Sequence, residues 1–238
     1  MKKYLKKITE KTKREYLEEL NEKLHNNTKS FIITVNPETL MLSKKNIDIK
    51  NILEDKNNSL VPDGIAVVKA CQKIGMNVQE RITGIDLCEY LLCLANEKNY
   101  SLALFGATKE VLEKLILKIK KEYPNIKLLE CSNGYIENKE QEMKKIIELN
   151  PDICLVALGI PEQEILISKY IENAKKGIYI GVGGSLDVLS GTKKRAPEIF
   201  IKLNLEWLYR IIKEPKRIKR FWNNNIKFLF VLRKESHE

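Results

Sequence analysis

Asp63 is the residue of this sequence best placed to move a proton. It stands in "LVPDGIAVVKA", residues 60–70, where a short apolar run meets a segment with helical spacing of apolar side chains. A carboxylate held at such a junction can take the proton of a hydroxyl that is becoming a nucleophile. Pro-Asp-Gly is also ordinary turn chemistry: Pro sets φ, Asp accepts from nearby amides and Gly tolerates φ > 0. Asp63 as the N-cap of a helix starting near Ile65 therefore stands beside Asp63 as a general base.

Other polar residues fall at comparable junctions. Thr34 and Asn36 close "SFIITVN", Arg81 lies in "QERITGID", Gln163 follows Gly159 in "ALGIPEQE", and Asp187 follows the double glycine of "GVGGSLD". Each can be a cap or a turn residue by itself. Collected on one rim, they would line a site. Gly106 in "LFGAT", Gly159, Gly183 and Gly184 end apolar runs, and glycines there let the amides of a helix N-terminus approach a diphosphate. The sequence holds no GxGxxG, Walker lysine loop, DxD, HExxH or GxSxG pattern, so neither metal-assisted nor serine-hydrolase chemistry is signalled.

The elements that must position these residues read as alternating strands and helices. "SFIITVN" is a strand, and "PETLMLSKKN" is a helix with Pro37 suited to its first turn. "GIDLCEYLLCLANEKN" has helical spacing, and "SLALFGATKEVLEKLILKIKKEYPN" runs strand, glycine turn, helix. The same plan recurs in "IKLLECS" with "NKEQEMKKIIELN", in "PDICLVALGIPEQEILISKYIENAK" and in "GIYIGVGGSLDVLSG". Continuous apolar strands separated by helices predict an α/β fold, a Rossmann-like and mostly parallel sheet covered on both faces. In such sheets ligands sit beyond the carboxyl ends of the strands, where all the junctions above would lie.

The totals agree with one core and one appendage. At 238 residues and 43% hydrophobic content, the chain can bury a full core. The five cysteines form no CxxC pair and have two histidines beside them, which reads as buried thiols in a reducing compartment. No apolar run reaches 18 residues, and the N-terminus lacks a signal-like apolar stretch. The net charge of +10 is placed unevenly: between Lys193 and Lys234 there are 13 Lys/Arg against three Glu, so the remainder is balanced. Residues 1–192 are thus expected as a nearly neutral catalytic core and 193–238 as a basic, amphipathic appendage. Trp207, Phe221 and Trp222 among clustered Lys/Arg suit either packing on the body or lying on an anionic bilayer. Nucleic acid is the remaining anionic partner, and it would leave the rim of Thr34, Asn36, Asp63 and Arg81 without a role.

The strings "TVNPETLM", "VPDGIAVVKA", "ERITGID", "LFGAT", "ALGIPEQE" and "GVGGSLDVLSGTKKRAPEIFIKLNLEWLYRIIKEPKRIKR" carry a resemblance. In order and spacing, from Phe31 to Arg220, they are similar to the WecG/TagA/CpsF glycosyltransferases (glycosyltransferase family 26). The resemblance implies inverting, metal-independent transfer of N-acetylmannosamine from a UDP-sugar to C4 of N-acetylglucosamine on undecaprenyl diphosphate, with no cofactor. UDP-N-acetylmannosaminuronic acid and UDP-glucose are donors used by relatives. By the same resemblance Asp63 is the base, and Thr34, Asn36, Arg81 and Gln163 line the sugar pocket. Arg210, Arg217 and Arg220 of the appendage close over the site, while Gly106, Gly159, Gly183, Gly184 and Asp187 are expected near the nucleotide. It further implies a peripheral protein on the cytoplasmic face of the cell membrane, and it admits a homo-oligomer. The first thirty residues depart from the family, which opens with an apolar "LGVPID"-like strand. Only "ITEKTKREYLEEL" matches its following helix, so the sheet edge is the open question.

Overall fold

The computed structural model describes residues 1–235, and describes Arg217, Arg220, Lys234 and Glu235 by their main chain only. Six strands form one sheet: β1 (Ser30–Val35), β2 (Asn58–Pro62), β3 (Ser101–Gly106), β4 (Lys127–Ser132), β5 (Ile153–Ala157) and β6 (Ile178–Gly181). Their order is β2-β1-β6-β5-β3-β4, and every pairing is parallel. The expected α/β architecture is therefore present, and all carboxyl ends of the strands share one rim.

Strand alternation divides the core. Phe31, Ile33 and Val35 of β1 join one buried cluster, with Ala103 and Phe105 of β3, Cys154 and Val156 of β5, and Tyr179 of β6. Ile32, Leu102, Leu104, Ile153, Leu155, Ile178 and Ile180 point into the other. Both faces must be covered, which is why the strands read as unbroken apolar runs. Helices do the covering, among them Gly84–Lys98 and Lys109–Glu122 on the second face and Lys139–Leu149 and Glu162–Tyr170 on the first. Of the cysteines, Cys71, Cys88 and Cys154 are buried free thiols, Cys131 is partly buried, and Cys93 stands exposed, contrary to the expectation that all five are internal.

The N-terminal residues take a small part in the sheet. A short helix, Lys2–Leu5, leads to Ile8, which makes a single parallel bridge to Leu60 on the outer side of β2. The N–H of Thr9 donates to Leu60 O at 2.9 Å. Helix Lys13–His25 follows with a capping box between Thr12 and Glu15. The edge beside β2 is thus closed by one residue pair rather than by a strand.

After β6 and the short helix Ser185–Leu189, the chain runs through helices Glu198–Lys202, Glu206–Lys213 and Arg217–Phe221, a π-helical turn Trp222–Ile226, and helix Lys227–Glu235. The π-helical turn and the last helix pack on helix Pro37–Leu42. Phe228 is fully buried there and Leu232 nearly so, both within the first core cluster.

Candidate active site

Asp63 follows the end of β2, where its N–H donates to Val35 O at 2.8 Å and so continues the pairing with β1 by one residue. The next helix, Ile65–Lys73, is capped by Gly64 at φ +128° and has no side-chain cap. The carboxyl of Asp63 is accordingly not used as a cap. That settles the local alternative raised by Pro-Asp-Gly: the turn belongs to Gly64, and the Asp63 side chain is left for other work.

The surroundings of Asp63 set its basicity. Burial raises its pKa from the usual carboxylate value to about 6, against the opposing pull of the Arg210 and Arg81 cations. Glu206 and Asp86 add smaller contributions in the same direction as burial. A carboxylate with that pKa is mostly ionised at pH 7 yet far more basic than an exposed Asp.

Arg81 reaches Asp63 because its loop lies along the end of β2, with Ile82 N–H donating to Pro62 O at 2.8 Å. Its guanidinium is paired with Glu206 Oε2 at 2.5 Å, and its Nη2 also lies 3.4 Å from Ile201 O. Helix Glu206–Lys213 brings Arg210 to the same place from the appendage. The side chains of Arg217 and Arg220 lie outside the described residues.

A second group forms at the ends of β5 and β6. Gln163, buried in the first turn of its helix, accepts through Oε1 from Gly159 N–H and Gly183 N–H, each at 3.1 Å. Its Nε2 donates to Glu164 Oε1 at 2.7 Å. Gly181 makes room for this arrangement, since a Cβ there would stand 2.6 Å from Gln163 Nε2. Thr34 Oγ1, buried at the end of β1, lies 3.5 Å from Gly181 O. Gly84 lets the helix it begins approach the same spot, its Cβ position lying 3.3 Å from Ser185 Oγ and 3.8 Å from Thr34 Cγ2.

The remaining expected residues have evident local tasks. Asn36 accepts through Oδ1 from Glu38 N–H at 2.9 Å and Thr39 N–H at 3.1 Å, capping helix Pro37–Leu42. Gly106, at φ +119°, packs so closely that a Cβ would meet Ala157 O at 2.3 Å. Gly184 is the exposed N-cap of helix Ser185–Leu189, and Asp187 in its first turn lies 3.4 Å from Lys193 Nζ. The structure therefore places Asp63, Arg81 and Arg210 together, and Thr34, Gln163, Gly159 and Gly183 together, on one rim.

Glu206, Glu164 and Gly181 belong to these groups without having been singled out by sequence. Glu164 Oε2 is buried with no hydrogen-bond partner among the described residues, and burial, against the bond from Gln163, raises its pKa to about 7. Glu206 was readable only as one of three acids in a basic segment; its partner Arg81 is more than a hundred residues away in the chain.

Comparison with known proteins shows the family. Residues 4–238 match the model of the glycosyl transferase WecG/TagA/CpsF family. An N-acetylglucosaminyldiphosphoundecaprenol N-acetyl-beta-D-mannosaminyltransferase of Bacillus subtilis (strain 168) is 42% identical over 207 residues, covering 87% of this chain and 80% of its own. The proteins of that name from Bacillus spizizenii and Staphylococcus aureus (strain MW2) are 38% identical over 197 residues and 37% identical over 191. These alignments cover 83% and 80% of this chain, and 76% and 74% of the relatives. With the match spanning nearly its whole length, the chain belongs to the WecG/TagA/CpsF family of glycosyltransferases.

Proposed function

We propose that the protein transfers N-acetylmannosamine from UDP-N-acetylmannosamine to the C4 hydroxyl of N-acetylglucosamine carried on undecaprenyl diphosphate. The product linkage is β-1,4, and the step serves wall teichoic acid or a related cell-surface polysaccharide. The observation that carries the reading is Asp63: a partly buried carboxylate of raised pKa, not spent on capping, at a strand end beside Arg81 and Arg210.

Asp63 accepts the proton of the acceptor hydroxyl while the oxygen lone pair attacks the anomeric carbon. The bond from that carbon to the UDP oxygen breaks, and its electron pair departs with the diphosphate. Attack opposite the leaving group inverts the anomeric centre. Arg210, delivered by the appendage, is placed to offset the negative charge that develops on UDP. Thr34 and Gln163, both buried, and Asn36, which caps helix Pro37–Leu42, would shape the rim on which the sugar rests.

The core at residues 1–192 and the appendage at 193–238 act as a binding body and a closing arm. Among the described residues no helix is long and apolar enough to cross a membrane. The appendage instead exposes Ile212, Ile218, Trp222, Leu229 and Phe230 among its lysines and arginines. Such a surface suits docking on an anionic bilayer from the cytoplasmic side, where a lipid-linked acceptor is met. Co-sedimentation with anionic vesicles, reduced by added salt, is the expected behaviour; equal pelleting with neutral vesicles would count against it.

The test of the reaction is UDP release from UDP-N-acetylmannosamine with a short-chain lipid-diphosphate N-acetylglucosamine, comparing wild type with Asp63→Asn. Acceptor-dependent release that collapses in the variant supports donor, acceptor and base together. Undiminished release in Asp63→Asn removes the base. No release in either protein points to another donor, with UDP-glucose the first alternative to supply.

A further inference from the structure

Arg81 carries a cation into the immediate neighbourhood of the carboxyl that must act as a base. Left alone, that arrangement favours a direct Arg–Asp pair, which would lower the carboxyl's pKa and tie up the oxygens that must receive a proton. The structure shows a different pairing. Arg81 Nη2 meets Glu206 Oε2 at 2.5 Å, with the two side chains 15% and 7% exposed. The same nitrogen lies 3.4 Å from Ile201 O, in the preceding helix of the appendage.

A pair buried to this degree is a poor source of net stability, because taking both charges out of water offsets most of their attraction. Its effect is geometric. Glu206 begins helix Glu206–Lys213, where a carboxylate also suits the positive end of the helix dipole. Arg210 lies one turn further on the same face. Fixing Glu206 to Arg81 therefore fixes the position from which Arg210 approaches Asp63. The charges acting on Asp63 are then Arg210 from the appendage, Arg81 from its own side of the sheet, Glu206 between them and Asp86 from the first turn of helix Gly84–Lys98.

We propose that Glu206 is a positioning residue for the transfer: by engaging Arg81 it keeps that guanidinium off Asp63 and locks the helix that presents Arg210. This rests on the reading of Asp63 as the base. Without the Glu206 carboxylate, Arg81 is released toward Asp63 and the appendage loses its buried anchor. Loss of the negative charge and release of Arg81 both act to lower the pKa of Asp63.

The experiment uses the full chain as wild type, Glu206→Gln, Glu206→Asp and the double variant Arg81→Gln with Glu206→Gln. Each is measured for kcat and KM against pH, for Tm, and for titration of the Asp63 carboxyl by 13C NMR, assigned with Asp63→Asn. In Glu206→Gln, kcat is expected to fall by about tenfold or more, as a misplaced catalytic group requires. The Asp63 pKa is expected to drop by about one unit, moving the acidic limb of the rate profile to lower pH. Glu206→Asp should recover part of both, and the double variant should return the Asp63 pKa upward, since the released cation is absent. If Glu206→Gln does not fold, Glu206→Asp and the double variant carry the comparison. An Asp63 pKa unmoved in every folded Glu206 variant overturns the proposal, as does a wild-type kcat in Glu206→Gln. Full turnover in Asp63→Asn would remove the base reading instead, while the NMR titration would still report whether Glu206 shields Asp63.

Discussion

Gln163 and Gly183 are joined by a hydrogen bond from the Gly183 N–H to Gln163 Oε1 at 3.1 Å, which ties the turn after β6 to the helix that follows β5. The same oxygen holds Gly159 N–H at 3.1 Å. The amides of both glycine turns, expected from the sequence near a diphosphate, are therefore engaged by one side chain, which fixes the two turns relative to each other. Gln163→Leu leaves both donors without that acceptor, at a cost of about 1–3 kcal/mol for each one that finds no water. Urea unfolding should show the loss, and the KM for the donor should rise. Gly181→Ala should produce a related defect by pushing Gln163 aside, because its new Cβ would fall 2.6 Å from Nε2. Unchanged urea midpoints in both variants would show that the two turns hold themselves.

Asp63→Asn should remove most turnover, by a factor of about 10²–10⁴, with KM changed far less. In the wild type, kcat/KM should fall as pH drops below about 6, where the carboxyl becomes protonated. Stability has the opposite dependence. A carboxyl whose pKa is raised on folding binds protons better in the native state, so its contribution is greatest at low pH and is lost as pH rises through about 6. Asp63→Asn should therefore gain about 1–3 kcal/mol relative to wild type at pH 8 and little at pH 4. Thermal unfolding at the two pH values checks the sign.

Glu164 offers a separate pH test. Burial raises its pKa to about 7, and its Oε2 has no hydrogen-bond partner among the described residues. Wild-type stability should accordingly decline as pH rises from about 4.5 through 7. Glu164→Gln keeps an acceptor for Gln163 Nε2 and carries no charge, so its stability should be flatter across that range. Parallel curves for the two proteins would contradict the assignment.

Phe228 and Phe230 lie on one helix with opposite exposure: Phe228 is fully buried and Phe230 is 69% exposed. Phe228→Ala should cost about 3–5 kcal/mol and loosen the appendage, read by Tm and limited proteolysis. Phe230→Ala should change stability by less than about 0.5 kcal/mol and weaken vesicle binding instead. Equal effects of the two substitutions on both measurements would remove the division between packing face and membrane face.

Most of the sheet was legible because its inner strands are buried on both faces, and the strands, the more exposed edge strand β4 included, are bounded by glycine, proline or asparagine. "SFIITVN", "SLALFG", "IKLLECS" and "GIYIG" all became strands, and their turn residues fell on one rim. The polar residues of that rim could be found from their place after apolar runs. What could not be read is which of them pair. Arg81–Glu206 joins residues far apart in the chain, and nothing in either neighbourhood marks the other. Gly181 was hidden for a different reason: its smallness answers to the side chain of Gln163, a constraint from packing and not from backbone geometry. The role of Gly64 as cap, which frees Asp63, also depends on a φ of +128° that Pro-Asp-Gly permits without requiring.

The bridge between Ile8 and Leu60 has a bearing on solubility. β2 would otherwise present an open row of backbone donors and acceptors to any passing chain. Ile8 and the Thr9 N–H occupy part of that row, so the strand leading to Asp63 is a poor template for strand addition. At the opposite border β4 is guarded by charge, with Lys127 exposed and Glu130 in contact with Lys145. The two borders thus resist self-association by different means, one by local backbone pairing and the other by ionic side chains. Under the proposed docking on a bilayer, which would raise the local concentration of chains, both would count.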